Sequence, residues 1–282
     1  MADSSPVVRV GVVQMAMGPD KEANLARAFK LVGEAAEKGA DIVCLPELFA
    51  TTYFPQREHE NVSPEPIPGP TSRALAKAAR KSKVYLVGGS IYEKAGPKRY
   101  NTSVVFDSGG RMLGRYRKVH VPQDSHFYEK NYFASGSGYK VVRTPFGNIA
   151  PLICFDQWYP EPARLCRLKG ADILFYPTAI GWVKGIEPSE GDWQEAWETV
   201  QRGHAIANSV IVCAVNRIGV EGDMTFWGGS FVCDQFGKVL FRAADNECAS
   251  VVEVGLSLGG EVEEGWGFLR NRKTSTYRKL TE

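Results

Sequence analysis

Short apolar stretches alternate along the chain with longer stretches in which apolar residues recur at helical spacing. The first half predicts strand Val8–Met15, helix Asn24–Lys38, strand Asp41–Leu45, helix Thr71–Ser82, strand Val84–Tyr92 and a hairpin of Thr102–Asp107 with Met112–Tyr116. The second half predicts strand Asn148–Ile153, helix Pro160–Lys169, strand Ile173–Tyr176, helix Trp193–Asn208, strand Val210–Val215 and a hairpin whose turn is Asp234–Gly237. Strands that alternate with helices in this way are typical of the α/β class.

Two segments recur within the chain and suggest an internal repeat. Lys38–Glu47 reads KGADIVCLPE and Lys169–Thr178 reads KGADILFYPT, while Asp107–Arg115 resembles Asp234–Arg242. Related halves predict one pseudo-symmetric domain over residues 1–282, in which two sheets face each other and helices cover both outer faces. The alternative is chance similarity, because the order of helix, stop and strand is common in α/β units.

The composition is that of an ordinary globular protein, and it narrows the class of function. The 282 residues are 44% hydrophobic and 23% charged, with 34 Lys and Arg against 32 Asp and Glu and a net charge of +2. These values exclude intrinsic disorder, collagen and coiled coil, and they favour neither nucleic acid nor a membrane as partner. No secretory signal and no apolar run of membrane-spanning length is visible, so a cytoplasmic protein is expected.

The six cysteines predict free thiols. They are scattered, and none forms the C-x-x-C pair that a structural zinc site needs. Most lie in apolar, strand-like segments, where a free cysteine packs as a small hydrophobic residue. The glycine pairs Gly88-Gly89 and Gly136-Ser-Gly138 lack the fingerprint of a phosphate-binding loop. We therefore expect no metal and no cofactor, and a reducing compartment.

Cys154 differs from the other cysteines in its position. It follows the apolar segment Ile149–Ile153 and precedes a helix that begins near Pro160. A thiol at a strand-to-helix turn is expected to be exposed and to lie near backbone N–H groups, which favours a nucleophile. A buried cysteine at a strand end, without chemistry, is the alternative.

Glu47 and Lys118 are the charged residues that the scaffold does not explain. Glu47 ends an apolar strand, where α/β proteins bind ligands, and a carboxylate in such surroundings can act as a general base and acid. Alternation places Lys118 on the same face as Tyr116 and His120, and an inward lysine needs an anionic partner. Thr178 replaces Glu47 in the second repeat, and Asp245 stands in the place of Lys118. A loop carboxylate and a solvent-exposed lysine are the alternatives.

Three histidines leave a cysteine–histidine pair open. His120 shares the face of Lys118 and is the better candidate, ahead of His126 and of His204, which lies within a predicted helix. A structural histidine is the alternative for each of them.

Together these residues resemble the nitrilase superfamily of carbon–nitrogen hydrolases. Pro46-Glu47, Arg117-Lys118-Val119-His120 and Ile153-Cys154 occur in the family's order, and the similarity covers nearly the whole chain. The resemblance implies a four-layer αββα sandwich and a Glu-Lys-Cys triad of Glu47, Lys118 and Cys154. It also implies that Glu129 is a second, positioning glutamate, and that Lys118 and the Phe155 N–H stabilise an oxyanion without a metal.

A narrower similarity concerns the substrate. Cys154–Glu161 (CFDQWYPE), Phe127–Phe133 and Asn216–Gly219 resemble the members of the family that act on N-carbamoyl amines. That resemblance implies hydrolysis of a carbon–nitrogen bond through a cysteine-linked acyl intermediate. The chain departs from this pattern after Pro122 and at Trp182–Pro188, in loops expected to border the pocket.

The substrate-binding candidates are aromatic, hydroxyl and acidic residues suited to a cationic amine tail; they are Tyr53, Trp158, Thr178, Trp182 and Glu187. Packing in the core is the alternative for the aromatic residues. A carbamoyl amino acid, an amide or a nitrile remains open as substrate, and so does a non-catalytic interaction protein on the same fold. The family implies a homo-oligomer, and the basic tail at about 266–282 is a candidate subunit contact.

Overall fold

A computed structural model describes residues 7–282 of the chain. The first half contains β1 (Val7–Gln14), α1 (Lys21–Glu37), β2 (Ile42–Cys44), α2 (Pro70–Ser82), β3 (Tyr85–Val87), β4 (Ile91–Ala95), β5 (Lys98–Phe106) and β6 (Met112–Arg117). The second half contains β7 (Val142–Thr144), β8 (Gly147–Pro151), α3 (Pro160–Leu168), β9 (Ile173–Thr178), β10 (Gly181–Val183), α4 (Trp193–Asn208), β11 (Ile211–Asn216), β12 (Ile218–Glu221), β13 (Met224–Trp227), β14 (Phe231–Cys233), β15 (Val239–Arg242), β16 (Cys248–Gly255) and α5 (Leu258–Gly265). Residues 1–6, which the expected domain of 1–282 includes, lie outside the described part.

The two large sheets share one connectivity except for β4, which pairs with β5 in the first sheet, and this agreement confirms the internal repeat. In the first sheet, β1, β2 and β3 are parallel neighbours, followed by antiparallel β5 and β6. In the second sheet, β8, β9 and β11 are parallel neighbours, followed by antiparallel β14 and β15. Each sheet also gains one antiparallel strand beside its first strand, β16 next to β1 and β7 next to β8. The repeated segments therefore occupy equivalent places.

The core is divided into layers by these sheets. Val10 and Ile42 of the first sheet pack with Phe175 and Ile211 of the second sheet in one buried cluster between them. A second cluster joins α1 and α2 to the outer face of the first sheet. A third joins α3 and α4 to the outer face of the second sheet. The predicted αββα sandwich is confirmed.

The helix boundaries follow capping chemistry. α1 begins at Lys21, before the predicted Asn24, because the Asp20 carboxylate accepts hydrogen bonds from the N–H groups of Glu22 and Ala23. Gly39, with φ of 87°, lies just beyond the end of α1, as predicted. The predicted α4 has the observed bounds, since Asp192 caps its start.

The predicted strand Val84–Tyr92 is wrong, because it is broken into β3 and β4 at Gly88–Ser90. Gly89 has φ of 56°, and a Cβ there would lie 2.1 Å from the carbonyl oxygen of Pro46. The Ser90 hydroxyl accepts a hydrogen bond of 2.9 Å from the N–H of Leu48. The break therefore lies against the loop that follows β2.

Three further strands form a small sheet that the apolar pattern does not predict. β10, β13 and β12 pair in this order, antiparallel throughout. Within residues 7–282, the helices are all too short or too polar to cross a membrane.

Replacing Gly89 with alanine is predicted to destabilise the fold more than the same change at Gly96. Both glycines have positive φ, 56° and 60°, which costs a residue with a Cβ about 1–2 kcal/mol. A Cβ at Gly96 would have no atom within 4 Å, unlike one at Gly89. The free energy of unfolding in urea should therefore fall by about 1–3 kcal/mol more for Gly89→Ala. Equal losses in the two variants would contradict the close approach of Pro46 to Gly89.

Candidate active site

The ends of strands from both sheets supply the candidate site. Glu47 follows β2 by three residues, Lys118 follows β6 directly, and Cys154 follows β8 by three residues. Glu129 begins a short 3₁₀ helix, Glu129–Asn131. Ligand sites of α/β proteins commonly lie beyond the carboxyl ends of strands, where loops can present side chains.

Lys118 is buried and links Glu47 to Glu129. Lys118 Nζ lies 2.9 Å from Glu47 Oε1 and 2.9 and 2.7 Å from the two carboxylate oxygens of Glu129. All three side chains are fully buried. Burial alone would lower the pKa of Lys118, but the charges of Glu129 and Glu47 outweigh it and raise that pKa. Lys118 is therefore held as a cation, on the inward face that its alternation predicts.

The carboxylate of Glu47 has one anchored and one open oxygen. Its Oε1 accepts hydrogen bonds from Lys118 and from Asn101 Nδ2, the latter at 2.7 Å. Its Oε2 is buried and has no hydrogen-bond partner among residues 7–282. A buried acceptor without a partner is costly, and it is available to take a proton.

Cys154 lies at a strained turn. It is the first residue of the 3₁₀ helix Cys154–Trp158 and has φ of 41°, in the left-handed region that a residue with a Cβ occupies at a cost of about 1–3 kcal/mol. A nucleophile on such a turn is presented near the N–H groups of the following residues, here including Phe155. The predicted strand to Ile153 ends earlier, at Pro151.

The expectation of an exposed thiol is wrong. Cys154 is only 7% exposed, and its Sγ lies 3.9 Å from the carbonyl oxygen of Ala179. Burial, followed by the charge of Glu47, raises the pKa of the thiol well above its usual range, while Lys118 lowers it. The resting thiol is therefore protonated and needs a base to become a nucleophile.

Asp156 fixes the turn that carries Cys154. Its carboxylate is fully buried and accepts hydrogen bonds from Ile153 N–H at 3.1 Å and from Tyr116 Oη–H at 2.7 Å. It also accepts one from His120 N–H at 3.1 Å and lies 2.9 Å from His120 Nδ1. These contacts join the turn to the segment that follows β6.

The three candidate histidines are engaged away from the thiol. His120 is bound to Asp156 and stacks on Tyr159, with ring centroids 3.8 Å apart. His204 Nε2 lies 2.8 Å from the Gln157 carbonyl oxygen, and His126 Nδ1 lies 2.9 Å from the Ser125 hydroxyl. The geometry does not support the alternative of a cysteine–histidine pair.

Glu129 is shared between Lys118 and Tyr53. The Tyr53 hydroxyl donates a hydrogen bond of 2.8 Å to Glu129 Oε1. Burial raises the pKa of Glu129 from its usual 4.5 to about 7, with the charge of Glu47 acting in the same direction and Lys118 opposing it. We call Glu47, Lys118 and Glu129 the charged cluster. Of the predicted substrate-binding residues, Tyr53 is thus the one in direct contact with it.

The other predicted substrate-binding residues lie further out or have protein partners. The buried Thr178 hydroxyl is 2.8 Å from the Tyr176 carbonyl oxygen and 3.2 Å from Gln157 Oε1. Trp158 and Trp182 are half-buried against the apolar cluster that also contains Cys154. Trp182 packs on Trp193 and Trp227. Glu187 is exposed and is not brought to the charged cluster.

Four residues of the site were not found from the sequence: Asn101, Asp156, Arg217 and Glu221. Arg217 is buried and pairs with Glu221, with Nη1 2.8 and 3.0 Å from its carboxylate oxygens. A charged residue beside the apolar segment Val210–Val215 was a weak signal for Arg217, whereas Asn101 lies among other polar residues and carried none. The signal for Asp156 was its place in the segment Cys154–Glu161, which carries the narrower family similarity.

A buried thiol, a lysine and two carboxylates on an αββα sandwich are the groups expected of a hydrolase with a cysteine nucleophile. The sequence profile described as carbon-nitrogen hydrolase matches residues 9–263. The chain belongs to this family of the nitrilase superfamily, whose members hydrolyse carbon–nitrogen bonds other than peptide bonds.

Known proteins resemble the chain over nearly its full length. It is 38% identical to an N-carbamoylputrescine amidase of Solanum lycopersicum, over 99% of this chain and 97% of that protein. It is 33% identical to a citrullinase of Francisella tularensis, over 97% and 98%. A crystal structure of a carbon-nitrogen hydrolase from Helicobacter pylori G27 superposes with a TM-score of 0.90 at 36% identity, covering 98% of this chain and 99% of that one.

Glu129 is predicted to make stability depend on pH. Because its pKa rises from 4.5 to about 7 on folding, the folded state binds an extra proton between these values. The resulting stabilisation is complete below about pH 4.5 and is lost as the pH rises through about 7, by on the order of 3 kcal/mol. Glu129→Gln cannot titrate, so the variant should gain stability relative to the wild type from pH 5 to pH 8 in urea unfolding.

Glu93→Gln provides a control of opposite sign. Burial favours a higher pKa for Glu93, but hydrogen bonds from Arg117 and Thr102 lower it. The stabilisation from Glu93 is therefore present at neutral pH and lost in acid, so Glu93→Gln should lose stability relative to the wild type as the pH rises from 3 to 5. A stability difference between Glu129→Gln and the wild type that does not change with pH would contradict the raised pKa.

Proposed function

We propose that the chain hydrolyses an N-carbamoyl amine, with N-carbamoylputrescine as the leading candidate, to the free amine, CO2 and ammonia. The observation that carries the choice of substrate is the charge of the buried site. The carboxylates of Glu47, Glu129 and Glu221 outnumber the cations Lys118 and Arg217 by one, and this net negative charge is complete above the Glu129 pKa of about 7. A negative interior attracts a protonated amine tail and repels a carboxylate.

The state of Arg217 supports the same choice. A carbamoyl amino acid would need a cation for its carboxylate, and arginine is well suited to this role. Arg217 instead binds the carboxylate of Glu221 and the backbone carbonyls of Glu47 and Leu48. The similarity to N-carbamoylputrescine amidases from four plants adds to this support.

Acylation begins with attack of Cys154 Sγ on the ureido carbonyl carbon. Glu47 Oε2, which has no other partner among residues 7–282, takes the thiol proton as the carbon–sulfur bond forms. Lys118 and the Phe155 N–H stabilise the negative charge that develops on the carbonyl oxygen. The tetrahedral intermediate then breaks its bond to the terminal nitrogen. Glu47 returns the proton to this nitrogen, which leaves as ammonia and leaves a carbamoyl thioester on Cys154.

Deacylation uses the same groups in reverse order. Glu47 removes a proton from water, which attacks the thioester carbonyl, and the carbon–sulfur bond breaks. The thiolate of Cys154 recovers its proton from Glu47. The released carbamic acid divides into the amine and CO2. Glu129 holds the Lys118 ammonium with Glu47, and Tyr53 in turn holds Glu129.

The aromatic residues are proposed to meet the substrate tail. The half-buried Trp158 and Trp182 would offer ring faces to an ammonium group, by cation–π attraction of about 0.5–2 kcal/mol each. The fully buried Tyr53 would instead act through its hydrogen bond to Glu129. Thr178 remains a candidate through its position beside Ala179, whose carbonyl oxygen lies 3.9 Å from the thiol. The six cysteines are free, which supports a reducing, cytoplasmic location for this reaction.

Cys154→Ala is predicted to abolish ammonia release from N-carbamoylputrescine, because no other group in the site forms the thioester. The wild type should show its highest kcat/KM on this compound in a panel with N-carbamoyl amino acids, citrulline, ω-amides and nitriles. Ammonia release is the common readout. Cys213→Ala, which removes a thiol from the core between the sheets, is the matched control and should retain turnover.

Two outcomes of this experiment would count against the proposal. If Cys154→Ala still released ammonia, Cys154 would not be the nucleophile. Preference for an ω-amide, a nitrile or a carbamoyl amino acid would leave the family chemistry intact and overturn the assignment of a carbamoyl amine.

We propose that the tail contributes to a homo-oligomer. Trp266 and Leu280 are 62% and 68% exposed. Leu280 ends the basic segment Leu269–Leu280, and Trp266 precedes it. Large apolar side chains with this exposure are typical of contact surfaces when they cluster. Removal of residues 266–282, and separately the double change Trp266→Lys with Leu280→Lys, should lower the mass in solution measured by light scattering. An unchanged mass in both would exclude the tail as a subunit contact.

A further inference from the structure

We propose that the buried ion pair of Arg217 and Glu221 is a positioning device that holds the loop of the general base and of Tyr53 in place. This inference rests on the proposed function, since it assigns a task only if Glu47 acts as the base. It concerns two residues that touch neither the reacting thiol nor Lys118. We call the pair, with its contacts to residues 47–53, the Arg217 clamp.

Arg217 binds the backbone of the loop that carries Glu47. Its Nη2 donates to the Glu47 carbonyl oxygen at 2.7 Å and to the Leu48 carbonyl oxygen at 3.1 Å. Its Nη1 reaches the Thr51 carbonyl oxygen at 3.4 Å as well as the carboxylate of Glu221. One planar guanidinium thus fixes three carbonyl groups within five residues, which the single ammonium of a lysine cannot do.

Glu221 extends the clamp to the second carboxylate. Its Oε2 accepts a hydrogen bond of 2.6 Å from the Tyr53 N–H. The Tyr53 hydroxyl in turn donates to Glu129, which binds Lys118. The pair therefore reaches Glu47 through one backbone contact, and Glu129 through Tyr53.

The loop needs external support because its backbone is strained. Leu48, directly after Glu47, has φ of 47°, a conformation that costs a residue with a branched side chain about 1–3 kcal/mol. Charge-assisted hydrogen bonds to the neighbouring carbonyls hold such a turn against relaxation. Without them, relaxation of the turn would shift the Glu47 carboxylate relative to Cys154.

The clamp also joins the two halves of the chain. Arg217 lies between β11 and β12, in the half that carries Cys154, whereas Glu47 follows β2. The distance between base and nucleophile is therefore set by a contact 170 residues apart in sequence. A displacement of about 1 Å in such a pair can reduce turnover about 100-fold.

A double variant separates positioning from stability. Replacement of a buried ion pair by apolar residues of similar size is often neutral for stability, because no unpaired charge remains. Arg217→Met with Glu221→Leu should therefore keep its unfolding midpoint near that of the wild type. It should nonetheless lower kcat by about 10- to 100-fold, with KM changed by less than about 3-fold. The single change Arg217→Lys should have a kcat nearly as low as that of the double variant, because a lysine cannot bind three carbonyl groups at once.

A cycle with Glu47 tests whether the clamp acts through the base. In a Glu47→Gln background the same double change should lower kcat by less than about 3-fold, since there is no base left to misplace. A purely structural role would give the full loss in both backgrounds. Arg242→Met with Glu198→Leu, which removes a bidentate surface pair of 2.8 and 2.7 Å, is the matched control and should leave kcat unchanged.

Glu221→Gln covers the case in which the double variant does not fold. It keeps an acceptor for the Tyr53 N–H and removes only the charge, so a fall in kcat of about 3- to 10-fold is expected. A folded Glu221→Gln or double variant with the kcat of the wild type overturns the clamp. All assays use the panel compound that the wild type turns over fastest, so a preference for an amide overturns the carbamoyl-amine assignment while the clamp is still measured on that amide.

Discussion

The Lys118 ammonium between two buried carboxylates is the constraint on which the rest of the site depends. Three ionisable side chains lie in an interior without solvent exposure, with contacts of 2.7–2.9 Å. Such a group is tolerated only when its remaining hydrogen-bonding atoms also have partners. Asn101 and Tyr53 supply them for Glu47 and Glu129, whereas Glu47 Oε2 has no hydrogen-bond partner among residues 7–282. This unpartnered oxygen is the atom that would move a proton in the proposed reaction.

The symmetry of the sandwich and the asymmetry of the charges serve different purposes. The repeat places equivalent strands in both sheets, and their ends supply positions for side chains. The glutamate and the lysine of the site occur on one copy only, since Thr178 stands where Glu47 would be and Asp245, of opposite charge, where Lys118 would be. Where the halves agree, the residues serve packing and turns. Where they differ, they build the site.

Burial of the thiol sets how the reaction must proceed. Because the pKa of Cys154 is raised, thiolate is scarce in the resting protein and the proton must leave during attack. Burial also strengthens each electrostatic contact in the site, because the local dielectric constant is lower than that of water. The strained backbone at Cys154 and Leu48 is held by Asp156 and Arg217, two side chains whose hydrogen bonds cross between distant segments.

The sequence by itself determined the main strands and helices of both halves, the repeat, and the residues that bear charge without a scaffold reason. These features are local, because apolar spacing, caps such as Gly39 and strand-end positions depend on neighbours in the chain. The tertiary structure alone decided the break at Gly89, the burial of Cys154, the binding of His120 to Asp156 and the roles of Asn101, Arg217 and Glu221. Each of these is a contact between segments far apart in sequence. Such pairings leave no periodic trace, and only the packing of the two sheets brings the partners within hydrogen-bonding distance.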